Sequence, residues 1–248
     1  MNTSSHHSDS DAITPVLIDE GFTKPATQAS PEATRWLALG VVVGPVLFTL
    51  AWVVLGFLSP GYTAWGTRIA PYSPISQGIS GLGLGITAPF MNTAFVFSGL
   101  LILVGVVSIF QGIREMGTLA RWSCTVLLAF SPLGMAVDGI FTLESFLPHM
   151  VGFLLAAASP VLSFVVIGLL LRRVKSFRRF GNWLLLGSPR TLALAVLYFL
   201  TFSPTAAGTQ TGVAGLTERT LVVEVHAWFV AMGWLAFRRA SRSVGWCS

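Results

Sequence analysis

The sequence predicts an all-α membrane protein, a polytopic bundle of six transmembrane helices, from three observations. It contains six long apolar stretches, hydrophobic residues make up 53% and charged residues 10% of 248 positions, and Lys and Arg crowd at every second junction. A hydrocarbon core of about 30 Å takes about 20 helical residues to cross, and only a helix satisfies its backbone hydrogen bonds within one segment. The predicted helices cover residues 36–58, 88–113, 122–141, 149–171, 183–202 and 217–237.

The distribution of charge predicts the topology. If the helices alternate in direction, one side holds twelve of the 15 basic residues: Lys24, Arg35, Arg114, Arg121, Arg172, Arg173, Lys175, Arg178, Arg179, Arg238, Arg239 and Arg242. The opposite side holds only Arg68 and Arg219. Because basic residues collect on the cytoplasmic side, we expect a multi-pass protein of the cell membrane with both termini in the cytoplasm. The net charge of +5 is then a topology signal with lipids as partners, and it does not indicate a nucleic-acid partner.

The chain ends differ in composition from the apolar stretches. Residues 1–34 are polar and rich in Ser, Thr and Pro, so they predict a disordered cytoplasmic tail ahead of the six-helix domain of residues 35–240. Residues 241–248 are predicted to be a cytoplasmic C-terminal tail. Both cysteines, Cys124 and Cys247, fall on the reducing side and are expected to be free thiols. His6 and His7 are interpreted as solvated tail residues.

The connection at residues 59–87 is far longer than its counterparts. Connections of this length are often functional. It combines many Pro, Gly, Ser and Thr residues with Trp65, Ile69, Ile75, Ile79 and Leu82. That mixture favours a folded cap on the outer mouth of the bundle over a tether, although a surface loop built of turn residues remains the alternative.

Ionisable residues within the spans mark where function is expected, because they are costly in lipid and face the bundle interior. Seven of them fall near the outer face: Asp138, Glu144, His149, Glu218, Arg219, Glu224 and His226. An ion pair of Arg219 with Asp138 or Glu144 fits this distribution. At 100° per residue, Glu224 points about 160° away from His226 on the sixth helix. Arg190 is interpreted as the first turn of a fifth helix that Ser188 caps, with its side chain reaching cytoplasmic headgroups.

Residue types exclude several kinds of site. A catalytic zinc needs three protein ligands, and the spans offer only His149 and His226 besides carboxylates. No metal or cofactor is therefore predicted. The segment around Ser80 lacks the G-x-S-x-G elbow of α/β-hydrolases, and no glycine-rich phosphate loop is present.

Two short segments carry a resemblance to a known family. Tyr72-Ser73-Pro74-Ile75-Ser76 together with Ile79-Ser80-Gly81-Leu82-Gly83 resembles the DUF998 family of bacterial and archaeal integral membrane proteins. So do Asp138 late in the third helix, His149 opening the fourth, and Gly215-Leu216-Thr217-Glu218-Arg219 opening the sixth. The resemblance spans about residues 37–239, and it implies a six-helix membrane fold of uncharacterised activity.

These observations predict a candidate ligand-binding cluster beneath the 59–87 connection. Its members are Tyr72, Ser73, Ser76, Ser80, Asp138, His149, Glu218, Arg219, Glu224 and His226. Three functions remain open. The favoured one is a non-enzymatic protein that binds a small ligand, lipid or ion in an outward-facing pocket, as a transporter-like or accessory envelope component.

The second function is a membrane-embedded hydrolase, with Ser76 or Ser80 as nucleophile, His149 or His226 as base and Asp138 orienting that base. Metal-assisted hydrolysis through the same His and Asp groups is a variant of it. The third is a purely structural membrane component, in which the charges serve assembly. The sequence leaves the ligand and the oligomeric state open.

Overall fold

The computed structural model describes Met1 and residues 31–202 and 211–244. His6, His7, Cys247 and most of the predicted N-terminal tail lie outside these residues. Residues 31–34 were assigned to that tail, but they belong to a helix, and the last helix extends to Val244, into the predicted C-terminal tail.

The described residues form eight α-helices and one small hairpin. The elements are α1 (Pro31–Leu37), α2 (Gly40–Leu58), β1 (Tyr62–Ala64), β2 (Thr67–Ile69), α3 (Ala88–Gly112), α4 (Thr118–Ile140), α5 (Phe146–Phe153), α6 (Ser159–Leu171), α7 (Arg178–Thr201) and α8 (Ala214–Val244). Two 3₁₀ turns, Ile79–Gly83 and Gly85–Thr87, precede α3, and a π-helical turn, Leu154–Ala158, joins α5 to α6.

These helices form the six predicted membrane spans. In the described residues, six helical stretches are long and apolar enough to cross a membrane: Glu32–Leu58, Gly85–Gly112, Thr118–Ile140, Phe146–Leu171, Arg178–Thr201 and Ala214–Arg239. Large apolar side chains such as Leu50, Val54 and Phe57 remain exposed on the outside of the bundle, where lipid tails are the solvent. The chain is therefore a multi-pass membrane protein.

The spans close into a ring in the order of the sequence. α2 packs on α3, α3 on α4, α4 on α5 and α6, α6 on α7, α7 on α8, and α8 returns to α2. Small residues permit the close approaches: a Cβ at Gly40 or at Gly105 would collide with the facing backbone of α3 or α2. Such small-residue contacts are the usual basis of helix packing in lipid.

Residues 59–87, here called the cap segment, are folded against one end of this ring, as the sequence predicted. β1 and β2 form an antiparallel hairpin that pairs Tyr62 with Ile69. Of its apolar residues, Ile69, Ile79 and Leu82 are buried, whereas Trp65 and Ile75 are exposed. The bundle end that carries this segment is called the cap end below, and the opposite one the basic end.

The fourth span contains an irregular turn with a clear cause. Pro160 has no N–H to donate to the carbonyl of Ala156, four residues earlier, and the π-helical turn ends just before it. Ser131 of α4 donates its hydroxyl to that carbonyl at 2.8 Å. A neighbouring helix thus satisfies the acceptor that proline leaves free, which is a condition for proline in a membrane helix.

Candidate functional site

The two segments that carry the family resemblance lie against each other. The first turn of α8 docks on the cap segment, where the N–H of Leu216 donates to the carbonyl of Ile75 at 2.9 Å. Gly215 packs on the carbonyls of Pro74 and Gln77, and a Cβ at this position would collide with both. Glycine is therefore required at this contact for steric reasons.

Arg219 fastens the cap segment to α8. Its Nη1 donates to the carbonyls of Pro74, Gln77 and Gly215, each at 2.8 Å, and its Nη2 donates to the hydroxyl of Tyr72. The side chain is buried, so these acceptors replace water around the guanidinium. Arg219 acts as a clamp on backbone carbonyls.

The predicted ion pair of Arg219 is wrong. Among the described residues, its hydrogen bonds go to carbonyls and a phenol, and no ion pair with Asp138 or Glu144 occurs. Asp138 lies beside His149, and Glu144 accepts a hydrogen bond from the N–H of Trp65 in the hairpin turn. The charge distribution identified the correct end of the bundle, but carbonyls freed by turns compete well for a guanidinium.

Glu218 holds the segment that carries Ser80. Its Oε2 accepts a hydrogen bond from the N–H of Ile79 at 3.2 Å, and a Cβ at Gly78 would collide with the same carboxylate. Glu218 and Arg219 are adjacent on α8, so consecutive side chains fix the two ends of the Gln77–Ile79 turn.

Ser80, His149 and Asp138 form a connected chain of polar groups. His149 Nε2 lies 2.8 Å from Ser80 Oγ, and His149 Nδ1 lies 2.9 Å from the carbonyl of Phe141 and 3.4 Å from Asp138 Oδ1. His149 and Asp138 are buried, while Ser80 is half-buried. The structure thus brings together one serine, one histidine and one carboxylate from the three segments named in the sequence.

Close packing of α4 on the fourth span places Asp138 beside His149. A Cβ at Gly134 would collide with the backbone of Gly152 and Ala156, and a Cβ at Gly152 would collide with Asp138 itself. Only glycine at both positions lets the two helices approach to this distance. The geometry of the polar chain therefore depends on two residues that carry no functional group.

A large cavity lies between the cap segment, α5 and the end of α7. Its volume is about 680 Å³, within the range of about 300–1,000 Å³ that is typical of ligand sites. Its polar wall includes Ser80, His149, Glu218, Tyr62 and Thr67. Its apolar wall comprises Ala64, Ile69, Leu143, Phe146, Met150, Phe153, Tyr198 and Phe202, among others.

A small cavity lies deeper in the bundle and shares Ser80, Phe153 and Glu218 with the large one. Its volume of about 30 Å³ corresponds to about two water molecules. Asp138 and His226 line it, and Asp138 Oδ1 and His226 Nδ1 are buried without a hydrogen-bond partner in the described part of the chain. The small cavity extends the polar region toward the middle of the membrane.

Other predicted members of the cluster lie away from both cavities. Ser73 Oγ accepts a hydrogen bond from the N–H of Ser76, and Ser76 is buried with its hydroxyl unpaired among the described residues. Both shape the turn that Arg219 grips, and Tyr72 is part of the same clamp. Of the three serines proposed to face the cluster, the structure places only Ser80 in a cavity wall.

Glu224 belongs to a separate cluster with Arg190. Its Oε1 accepts from Trp228 Nε1 at 2.5 Å and Arg190 Nε at 3.2 Å, and its Oε2 accepts from Thr191 Oγ1 at 2.8 Å. The interpretation of Arg190 as a first-turn residue is wrong, since α7 begins at Arg178 and Ser188 lies inside it. Sequence reasoning had no signal that a carboxylate on the sixth span faces this arginine.

The two tyrosines of the cap segment are held in their neutral form. Burial raises the pKa of Tyr62 from its usual 10.0 to about 12, and the charge of Glu218 adds to the effect. Burial also raises the pKa of Tyr72, although the neighbouring Arg219 acts in the opposite direction. The phenol of Tyr62 is thus a neutral donor in the cavity wall at ordinary pH.

Sequence reasoning missed most of the apolar wall. Four of its residues lie at the cap end of their spans: Met150, Phe153, Tyr198 and Phe202. Aromatic residues at a span end are equally well explained as anchors at the membrane interface. The pairing of the fourth and fifth spans would have identified them, but no pattern in one sequence reports which spans are neighbours. Among the described residues, no group of three or more His, Cys, Asp or Glu side chains is placed to hold a metal ion.

Comparison with known proteins assigns the family. No curated protein and no solved structure matches this chain. The model of the family described as "Protein of unknown function (DUF998)" matches residues 42–235, which include both docked segments and the polar chain. The protein therefore belongs to the DUF998 family.

Proposed function

We propose that the protein binds one amphipathic, lipid-like molecule in the large cavity under the cap segment. The observation that carries the proposal is the division of this cavity into a polar wall with Ser80, His149 and Glu218 and a long apolar wall. A single-chain amphiphile matches both walls at once. The cavity lies at the cap end of the apolar spans, so membrane lipids are the natural source of the ligand.

The charges in the wall define the head group. Among the described lining residues, Glu218 is the one acidic or basic side chain apart from His149. Arg219 is adjacent, but its guanidinium is directed at the carbonyls of the cap segment. Since no Lys or Arg is among the described lining residues, an anionic phosphate would face the carboxylate of Glu218 without a basic side chain to neutralise it. A neutral hydroxyl-bearing or a cationic head group is therefore favoured.

The charge asymmetry of the sequence indicates which side of the membrane supplies the ligand. With the basic end in the cytoplasm, the cavity faces the outside of the cell membrane. Cysteines at Thr63 and Lys175, both exposed, test this orientation in a chain whose Cys124 and Cys247 are replaced by Ala. An impermeant thiol reagent on intact cells is expected to label position 63 alone. Labelling of position 175 alone would reverse the topology.

The binding proposal is tested by filling the cavity. Met150 lines it, whereas Leu147 on the same helix is exposed, so Met150→Trp and Leu147→Trp form a matched pair. After purification in mild detergent, mass spectrometry is expected to find a retained lipid in the native protein and in Leu147→Trp. Met150→Trp is expected to lose it. Equal retention in both variants, or none in the native protein, contradicts the proposal.

A further inference from the structure

We propose that Ser80 is the nucleophile of an acyl-transfer reaction, with His149 as its general base and Asp138 as the positioning residue. The inference rests on the proposed function, because the substrate is a long-chain ester that occupies the same cavity. It converts the polar chain of the site into a reaction centre with defined roles.

The hydrogen bonds of His149 determine which of its nitrogens is the base. The carbonyl of Phe141 can only accept, so the 2.9 Å contact requires a proton on Nδ1. In the neutral ring Nε2 then carries a lone pair, and the 2.8 Å contact with Ser80 Oγ has serine as donor. This is the tautomer that a histidine needs to remove the proton of a nucleophilic serine.

Asp138 is placed to stabilise the charged ring that forms during the reaction. Its Oδ1 lies 3.4 Å from His149 Nδ1 and has no hydrogen-bond partner among the described residues. When His149 takes the proton of Ser80, its positive charge develops next to this oxygen. The carbonyl of Phe141 holds the ring in this orientation, with Asp138 facing the same Nδ1 edge.

Accessibility separates Ser80 from Ser76. Both serines lie in the cap segment four positions apart, but only Ser80 lines the two cavities, while the hydroxyl of Ser76 is buried without a partner in the described structure. An ester in the large cavity can present its carbonyl carbon to Ser80 Oγ while its chain lies along Met150, Phe153 and Phe202.

The reaction balances with water as the second substrate. Ser80 Oγ bonds to the carbonyl carbon while its proton passes to His149 Nε2. The bond between that carbon and the alcohol oxygen then breaks, and His149 returns the proton to the departing alcohol. Water next attacks the acyl carbon, gives a proton to His149 and releases the carboxylic acid, and Ser80 recovers its proton. The net change is ester plus water to acid plus alcohol.

The charge near Ser80 predicts slow turnover. Glu218 accepts a hydrogen bond from the N–H of Ile79, the residue before Ser80, and in its ionised form it opposes the oxyanion that forms on the substrate carbonyl. Arg219, the nearest basic residue along α8, is committed to the carbonyls of the cap segment. The covalent intermediate is therefore a better object of measurement than the rate of product formation.

An alkyl fluorophosphonate, which loses fluoride on reaction with an activated serine, is the direct probe. With the full chain in mild detergent, mass spectrometry is expected to map one adduct to Ser80. Ser76→Ala is expected to label like the native protein, Ser80→Ala to remain unlabelled, and His149→Gln to label about 100-fold more slowly, as for loss of a general base. Labelling of Ser80→Ala at the native rate overturns the proposal.

The role of Asp138 has its own readout. With p-nitrophenyl esters of increasing chain length, Asp138→Asn is expected to lower kcat while KM stays unchanged. A purely structural role would lower the folded fraction and leave kcat per folded molecule as it is. Lipid retention is measured on the same samples. Retained lipid without labelling of Ser80 overturns catalysis and leaves binding in place, whereas labelling without retained lipid supports the nucleophile and contradicts a resident ligand.

Discussion

Two carboxylates of α8 are buried in the membrane-spanning region, yet Glu218 and Glu224 have different surroundings. They are six positions apart, which is about 9 Å along a helix. Glu224 accepts hydrogen bonds from Arg190, Thr191 and Trp228 and lines neither cavity. Glu218 accepts from the N–H of Ile79 in the described structure and lines both cavities.

The difference teaches how to distinguish a structural charge from a candidate site in a membrane protein. Burial is equal, so the cost of a charge in lipid does not separate them. Both carboxylate oxygens of Glu224 accept hydrogen bonds. The carboxylate neutralises Arg190, whose side chain is 60% exposed on the outside of α7. Glu218 accepts one hydrogen bond among the described residues, so part of its hydrogen-bonding capacity stays unused beside the cavities. A buried carboxylate with unused hydrogen-bond acceptors beside a cavity indicates a candidate site more clearly than its charge alone does.

The largest effect on stability is expected from removing the carboxylate of Glu224. Glu224→Leu leaves Arg190 unpaired in the middle of a span, at a cost of about 2.5–3.5 kcal/mol. Thermal unfolding in detergent, followed by tryptophan fluorescence, measures it. The double variant Arg190→Leu/Glu224→Leu should recover most of the loss, since it removes the unpaired charge from the span together with its partner. A single variant as stable as the native protein would show that the pair contributes nothing.

A smaller effect is expected where glycine sets the distance between helices. Gly152→Ala forces a methyl group against Asp138 and should cost about 1–3 kcal/mol, as overpacking does. Gly117→Ala is the control, because a Cβ there meets no atom within 4 Å. Unfolding curves of the two variants give the comparison. Equal stability would mean that α4 and α5 shift apart without resistance.

Still smaller stability changes are expected in the cavity wall. Glu218→Gln keeps an acceptor for the N–H of Ile79, and Ser80→Ala removes one half-buried hydroxyl with its hydrogen bond to His149, so each should cost about 1 kcal/mol or less. Ligand retention is expected to fall in both. If Glu218→Gln destabilised the protein as much as Glu224→Leu, the distinction between the two carboxylates would fail.

The smallest effect at ordinary pH concerns the tyrosine of the cavity wall. The folded state raises the pKa of Tyr62 from 10.0 to about 12, so it holds the phenol neutral. This contribution to stability is fully present below pH 10 and is lost as the pH rises through about 12. Tyr62→Phe should reduce the alkaline loss of stability in unfolding experiments between pH 9 and 12 and leave the stability at pH 7 nearly unchanged. An identical alkaline decline in Tyr62→Phe would assign the loss to other groups.

Much of the cap-end site was open to prediction from the sequence. The positions of Asp138, His149 and Glu218 in the predicted spans assigned them to one end of the bundle. The composition of residues 59–87 predicted a folded cap. The sequence could not decide between Ser76 and Ser80, because both are small polar residues in a turn-rich segment. Only the path of the backbone decides which hydroxyl enters a cavity and which is enclosed.

The sequence by itself determined the number of spans and the family, because hydropathy and short motifs are local properties of the chain. It also determined which end of the bundle carries the ionisable groups. The tertiary structure alone decided the partners: Arg219 with carbonyls, Arg190 with Glu224, and His149 with Ser80. Partners depend on which helices are neighbours and how each is rotated, and the small residues that set these contacts have no pattern of their own. The role of glycines such as Gly152 and Gly215 is seen only from the atoms packed against them.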